Sequence, residues 1–205
     1  SSTVPACCLK AVSMKIMTHK TGVQTFSFQD VLNRDVRKTS ISMDGRFVHV
    51  DTEYNARGLV ARESTPYFDG QEPLWTTHFY DVLKRPLLST APDGNSTKIS
   101  YFANTKLTVN ALGQWRNTTH DAKQRLVLSQ DASGSTRFVY NSAGLEIEMT
   151  NALGDTTRTS YNAIGDRVMI DDPDMGVWTY AYDAVDNLTA QTDARNVTIT
   201  FTYDD

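Results

Sequence analysis

Long apolar runs are missing from this chain. No stretch approaches the ~20 apolar residues of a membrane-spanning helix. The early segment Ala6 to Met17 is shorter, is interrupted by Lys10 and Lys15, and lacks the charged leader of a signal peptide. Cysteine is nearly absent. The two that occur, Cys7 and Cys8, are adjacent, and disulfide geometry fits poorly across one peptide unit. They are expected to be free thiols near a frayed end, with a cross-link between two chains as the alternative. This scarcity says little about compartment, because large repeat proteins need no disulfides. An excess of positive charge is also missing. The formal charge is −4 over 205 residues, whereas nucleic-acid binding needs a concentrated basic surface. No basic amphipathic helix suggests a membrane surface either.

The signatures of chemistry are thin too. There is no GxSxG elbow and no phosphate-cradling loop. The four histidines, His19, His49, His78 and His120, are about 30–42 residues apart and share no metal-like spacing. They read as residues of a polar sheet face, with His120 in a packing role. Asp171 to Met175 (DDPDM) concentrates three carboxylates, but without the acid-glycine alternation of a calcium loop it reads as a polar turn. Most other aspartates stand where turns are expected, for ordinary backbone reasons. The expectation is therefore no catalytic residue, no metal and no cofactor. Four Asn-x-Ser/Thr triplets, at Asn95, Asn117, Asn187 and Asn196, are what Thr-rich strands produce by chance.

What the chain does have is a period. Hydrophobic residues make up 40% of it, enough to bury a core and to argue against wholesale disorder. Tyr161-Asn162, Tyr182-Asp183 and Tyr203-Asp204 recur every 21 residues. Followed backwards, the same position holds Tyr140-Asn141, His120-Asp121, Tyr101-Phe102, Tyr80-Asp81, Tyr54-Asn55 and Gln29-Asp30. Repeats of this length are the mark of stacked supersecondary units. Two turns keep step with the aromatic. One follows it by three or four residues, at Gly58, Gly144 and Gly165, with Asp186-Asn187 in the equivalent place. The other precedes the next aromatic, at Gly22, Gly94, Gly113, Gly134, Gly154 and Gly176. Gly, Asn and Asp accept the positive φ of tight hairpin turns.

The runs between turns alternate in polarity. Val197, Ile199, Phe201 and Tyr203 point one way and the intervening threonines the other, the pattern of a strand with one buried face. Trp178, Tyr180 and Tyr182 repeat it, and no window shows a capped helical stripe. Each period is a β-hairpin too small to fold alone, and it is expected to bury its aromatic face by pairing with the next. The fold expected is all-β, a repetitive antiparallel hairpin ribbon. Residues 1–11 form an N-terminal segment, frayed or incomplete. Residues 12–205 form about eight hairpin units and read as a fragment of a longer protein.

The string Y-[DN]-x-x-G-x-[LV], closing on a Thr-rich strand, resembles the YD repeat of the RHS family. It is carried by Tyr54 to Leu59, Tyr140 to Leu145, Tyr161 to Arg167 and Tyr182 to Leu188. The resemblance covers about residues 12–205; His120 and Gln29 depart from it. The stretches Ser64 to Asp81 and Asp172 to Asp183 resemble the form found in large bacterial toxin-complex proteins, and teneurin repeats are similar more distantly. The resemblance implies a β-strip that spirals into a hollow shell around a C-terminal effector, often a toxin. It implies a secreted or cell-surface bacterial protein. The partners implied are further repeats and the effector of the same chain. On this view the aromatic ladder Tyr54, Tyr80, Tyr101, Tyr140, Tyr161, Tyr182 and Tyr203 carries the structure, with the turn glycines. The alternative is an extracellular carbohydrate-binding or adhesion module, with Trp75, Trp115 and Trp178 stacking on sugars. Self-association into a fibre through open sheet edges belongs to the same alternative.

Overall fold

The computed structural model describes residues 13–18 and 24–204. Cys7, Cys8, His19 and Gly22 lie outside the described residues. Among those described there are nineteen strands and no helix. The chain divides into two compact units, Ser1–Ile99 with Val109–Gly113, and Ser100–Thr108 with Gln114–Asp205.

The first unit is an antiparallel meander. It runs through β1 (Ser13–Thr18), β2 (Gln24–Gln29), β3 (Asp35–Ile41) and β4 (Phe47–Tyr54), then β5 (Val60–Ser64), β6 (Tyr67–Phe68), β7 (Trp75–Tyr80), β8 (Pro86–Thr90) and the start of β9 (Ser96–Phe102). Each strand pairs with its neighbour in sequence, except where β6 intervenes. There the meander forks. The end of β4 pairs with β5 through Thr52↔Glu63 and Tyr54↔Val60. Its beginning pairs with β6 through Val48↔Phe68 and His49↔Tyr67. β5 then passes on to β7. Residues 65–74 are thus a strap that brings β6 back to pair with the beginning of β4. They account for the longer interval between Tyr54 and Tyr80.

The second unit continues the pattern. It holds most of β10 (Thr105–Val109), then β11 (Trp115–His120), β12 (Leu126–Asp131), β13 (Gly134–Tyr140), β14 (Glu146–Thr150), β15 (Thr156–Tyr161), β16 (Arg167–Asp172), β17 (Gly176–Tyr182), β18 (Leu188–Thr192) and β19 (Thr198–Thr200). From β11 to β19 each strand pairs antiparallel with the next in sequence. Alternation in sequence becomes alternation in exposure. In β17, Trp178, Tyr180 and Tyr182 are half-buried, whereas Val177, Thr179 and Ala181 are exposed.

The expected buried aromatic face is corrected by this architecture. Val36, 7% exposed, is the one buried hydrophobic side chain among the described residues. Tyr54, Tyr80, Tyr101, Tyr140, Tyr161 and Tyr182 are half-buried, and Tyr203 is exposed. Val197, Ile199 and Phe201, expected on a buried face, are also exposed. Hairpins that pair only with their neighbours make a single layer. Each aromatic is then covered by its flanking side chains, and among the described residues no second sheet lies above it. Cohesion must come from somewhere other than a core.

Candidate functional site

It comes from the aromatic-Asp/Asn position, which is a repeated backbone device. At seven of these positions the strand register slips by one residue. Val139 pairs with Glu148 but Tyr140 pairs with Glu146, leaving Ile147 extra. The same β-bulge occurs at Tyr54, Tyr80, Tyr161 and Tyr182. It also occurs at the two positions without Tyr, Gln29 and His120. The extra residues are Val36, Ala61, Leu87, Val127, Ile147, Val168 and Thr189, apolar in all but the last. A bulge disrupts the ladder and takes a backbone group out of it.

The tyrosine of the next period supplies a donor at that point. Tyr54 Oη donates to the carbonyl of Asp35, and Tyr80 Oη to that of Val60, each at 2.9 Å. In the second unit Tyr140 donates to Leu126, Tyr161 to Glu146, Tyr182 to Arg167 and Tyr203 to Leu188, at 2.8–3.0 Å. In every case the accepting residue is the bulge partner of the preceding aromatic position. Burial pushes the Tyr54 hydroxyl up from its ordinary pKa, with the Asp35 carboxylate adding to it. Burial does the same to Tyr140, with Glu146 adding.

The residue after the aromatic closes the hairpin. The side chains of Asp81 and Asp183 each accept from two backbone amides beyond them, Leu83 with Arg85 and Val185 with Asn187. The residue three places on takes positive φ: Gly58, Gly144 and Gly165, and also Asn33, Lys84, Gln124 and Asp186. This is a three-residue hairpin loop with one left-handed residue. The second set of turns repeats it at Gly94, Gly113 and Gly154, and Gly134 and Gly176 likewise have positive φ. Gly45 and Gly70 do too, and sequence reading passed over them.

Where the turn residue is Asp, the fifth position is often Arg. Arg34 pairs with Asp30 and stacks 4.4 Å over Tyr54. Arg125 pairs with Asp121 and stacks 4.7 Å over Tyr140. The Arg34 side chain, then its backbone amide, hold the Asp30 carboxyl below the usual range against the opposing effect of burial. For Asp81 burial is the largest influence and acts upward, but the Arg85 backbone and guanidinium outweigh it. Where the turn residue is Asn55 or Asn141, the fifth position is Leu59 or Leu145.

The remaining candidates are dispersed. Trp75 is half-buried, with the Arg62 guanidinium 4.2 Å from its ring centroid. Trp178 is half-buried and donates from Nε1 to the Met175 carbonyl. Trp115 is 40% exposed. In the DDPDM turn Asp172 accepts from the amides of Asp174 and Met175 and from the Thr157 hydroxyl. His78 is half-buried on β7, and His120 occupies its bulge with its amide bonded to Asn104.

The concentrated polar chemistry lies beneath the strap, which sequence reading missed. Arg37 and Asp51, each with a side chain 5% exposed, form a two-pronged pair. Tyr67 accepts from Arg37 and donates to Asp51 at 2.6 Å. Beside them His49 bridges Thr39 Oγ1 at 2.9 Å and Asp69 Oδ1 at 2.6 Å. His49, read from sequence as a residue of a polar sheet face, is buried among these polar groups. The only sequence signal was the register that sets Arg37 opposite Asp51 and Thr39 opposite His49, which no motif announces. A cavity of ≈ 450 Å³ adjoins this cluster.

Residues 182–205 match the family model described as RHS Repeat. The matched stretch is the last period, from Tyr182 onward. A search of curated proteins finds no match. Among solved structures this chain resembles the TcdB2-TccC3-Cdc42 crystal structure, with a TM-score of 0.74 and 15% identity over 89% of its length. It resembles TcdB2-TccC3 without its hypervariable C-terminal region at a TM-score of 0.73 and 15% identity over 93%. It also resembles a Photorhabdus luminescens Tc holotoxin pore carrying a TccC3 mutation, at 0.72 and 13% identity over 94%. The chain spans 12% of the length of each of these chains. At such identities the likeness is one of fold: an all-β antiparallel repeat.

Proposed function

We propose that this chain is a length of wall in an RHS-type shell enclosing a C-terminal effector of its own longer chain. The parent protein is a bacterial toxin exported from the cell or held at its surface. The work is mechanical and needs no catalytic residue. The observation that supports this most is the tyrosine-to-bulge ladder. Six periods are tied to the one before them by a bond that any number of periods could repeat. A single layer held together at its bulges, with almost no core of its own, suits a wall better than a free-standing globule. The likeness of fold to the TcdB2-TccC3 structures points the same way.

The test is an image reconstruction of the native full-length protein, with this segment located by a bound antibody fragment. The expected result is a hollow particle with the segment in its wall and density inside. A native protein no larger than this chain, or a particle without a cavity, would overturn the reading. Assembly through its edges would then account for the repeats.

A further inference from the structure

Asp-Gly occurs three times, at Asp44-Gly45, Asp69-Gly70 and Asp93-Gly94. Each glycine has positive φ, near +80°. A carboxyl followed by glycine can close on the next backbone nitrogen, because no Cβ obstructs the approach. Whether it does depends on what holds the carboxyl and the nitrogen, and the three sites differ in both.

At the first site the Asp44 carboxylate is gripped by the Ser42 hydroxyl and by Arg46 at 2.6 Å. The Gly45 amide donates to the Ser42 carbonyl at 2.9 Å. At the third, Asp93 accepts from the Asn95 backbone and side chain. The Gly94 amide donates to Ala91 at 3.0 Å. Both nitrogens are occupied.

The second site lies in the strap and is built otherwise. Among the described residues the Gly70 amide makes no hydrogen bond. A Cβ built on Gly70 meets nothing within 4 Å. The Asp69 side chain is 70% exposed, yet its Oδ1 lies 2.6 Å from Nε2 of buried His49. Thr39 Oγ1 holds the other ring nitrogen at 2.9 Å. An oriented imidazole therefore faces the oxygen that must leave if the ring closes, and the adjoining cavity admits water.

We propose that Asp69-Gly70 is a self-modification site at which His49 acts as the proton donor. The Gly70 nitrogen attacks Cγ of Asp69, forming an N–Cγ bond and giving up its own proton to solvent. Asp69 reacts as its neutral acid, having taken one proton from solvent; its Cγ–OH bond breaks, and the hydroxyl leaves as water with a second proton from Nε2 of the His49 imidazolium, which is left as neutral imidazole. The product is a five-membered succinimide. Water then reopens it at one of two carbonyls. Attack at the side-chain carbonyl restores Asp69. Attack at the main-chain carbonyl leaves the chain running through the β-carbon, an isoaspartyl link. No oxidant or second reagent is consumed. The isoaspartyl form adds a methylene to the strap's backbone and carries its carboxylate away from His49. The Tyr67 end of the strap stays tied to Arg37 and Asp51. The inference does not depend on the shell assignment.

The test follows the folded chain over time by proteolytic peptide mapping, with isoaspartyl methyltransferase labelling. The succinimide appears as a species lighter by one water. Position 69 is expected to accumulate isoaspartate about tenfold or more faster than positions 44 and 93, in keeping with a positioned acid. His49→Gln keeps an N–H beside Asp69 but cannot act as an acid, and it should bring position 69 down towards the other two. Urea-unfolded wild-type chain should show similar rates at all three. Equal rates in the folded wild type would overturn the proposal whatever the variant does. So would a folded His49→Gln chain that modifies at the wild-type rate.

Discussion

The hydroxyl of Tyr161 donates to the backbone carbonyl of Glu146 at 2.9 Å, and Glu146 is the bulge partner of Tyr140. The bond joins two periods through the one point where their own ladder is interrupted. It explains why the repeat returns to tyrosine when phenylalanine would fill the same space. It also explains why the period stays close to 21 residues: the hydroxyl must arrive at a carbonyl set by the previous hairpin.

Tyr161→Phe isolates that bond. The ring stays, so the expected loss is about 1 kcal/mol, the net worth of one hydrogen bond. Tyr161→Ala also removes a half-buried ring. It should cost roughly 2 kcal/mol, below the 3–5 of a fully buried aromatic. Urea unfolding of the two variants beside wild type measures both. A Phe variant as stable as wild type would show that the ladder is incidental. An Ala loss near the upper figure would mean that the ring is buried more deeply than described.

The turn glycines should rank by what a new Cβ would meet. At Gly154 nothing lies within 4 Å, so Gly154→Ala meets only backbone strain at φ +91°, about 1 kcal/mol. At Gly176 the Cβ would stand 2.7 Å from Cβ of Ala194, and at Gly134 it would collide with Cβ of Ala152. Those variants should lose a further ~1–3 kcal/mol through overpacking. The converse is Lys84→Gly. Lys84 already has a left-handed φ of 65°, so this change should be neutral or stabilising. Thermal melts of the four proteins test the order, and a Gly154→Ala loss as large as that of Gly134→Ala would break the argument.

The ribbon was legible in sequence because its signals are local. Alternation such as Val197 to Tyr203 and turn residues at fixed offsets each depend on a few neighbouring positions. The lack of a core was not legible, because the same alternation describes a strand with one face covered by a second layer and one covered only by its neighbours. The tyrosine ladder needed the bulge, which places Ile147 as an extra residue that no composition rule marks. The strap cluster was hidden for a different reason. Arg37, Asp51 and Tyr67 are far apart in the chain and meet only because residues 65–74 fold back onto β4. Departures in type were tolerated where the backbone device survived: His120 and Gln29 both keep the bulge without the tyrosine.

The Arg37–Asp51 pair should behave as a buried ion pair. Removing one partner strands the other, so Asp51→Leu is expected to cost roughly 3–5 kcal/mol. Replacing both, Arg37→Met with Asp51→Leu, should recover much of that, because two apolar groups leave no charge unpaired. Tyr67 loses partners in either case. A double-mutant cycle by chemical denaturation gives the coupling. Additive losses would show that the two charges act independently and that the strap is held by other contacts.

Acid should loosen the hairpin turns, and the sign follows from the carboxylates. Backbone donation from Asn187 holds Asp183 below its ordinary pKa, and donation from Val197 does the same for Asp193. Hydrogen bonds from Ser42 and then Arg46 take Asp44 down to about 2. A carboxyl depressed in the folded state stabilises it at pH values above its unfolded pKa, near 3.9, and that contribution is lost as pH falls through the folded value. Stability should therefore be level near neutrality and fall between about pH 4 and pH 2. Asp183→Asn gives the test its control, since Asn162 closes the same turn with an amide oxygen accepting from Ile164, Gly165 and Asp166. The variant should be no more stable than wild type at neutral pH, but should lose less on acidification, so the two stability curves converge below about pH 4. Parallel curves through that range would mean that the turn aspartates act as neutral acceptors, with their charge contributing nothing to the fold.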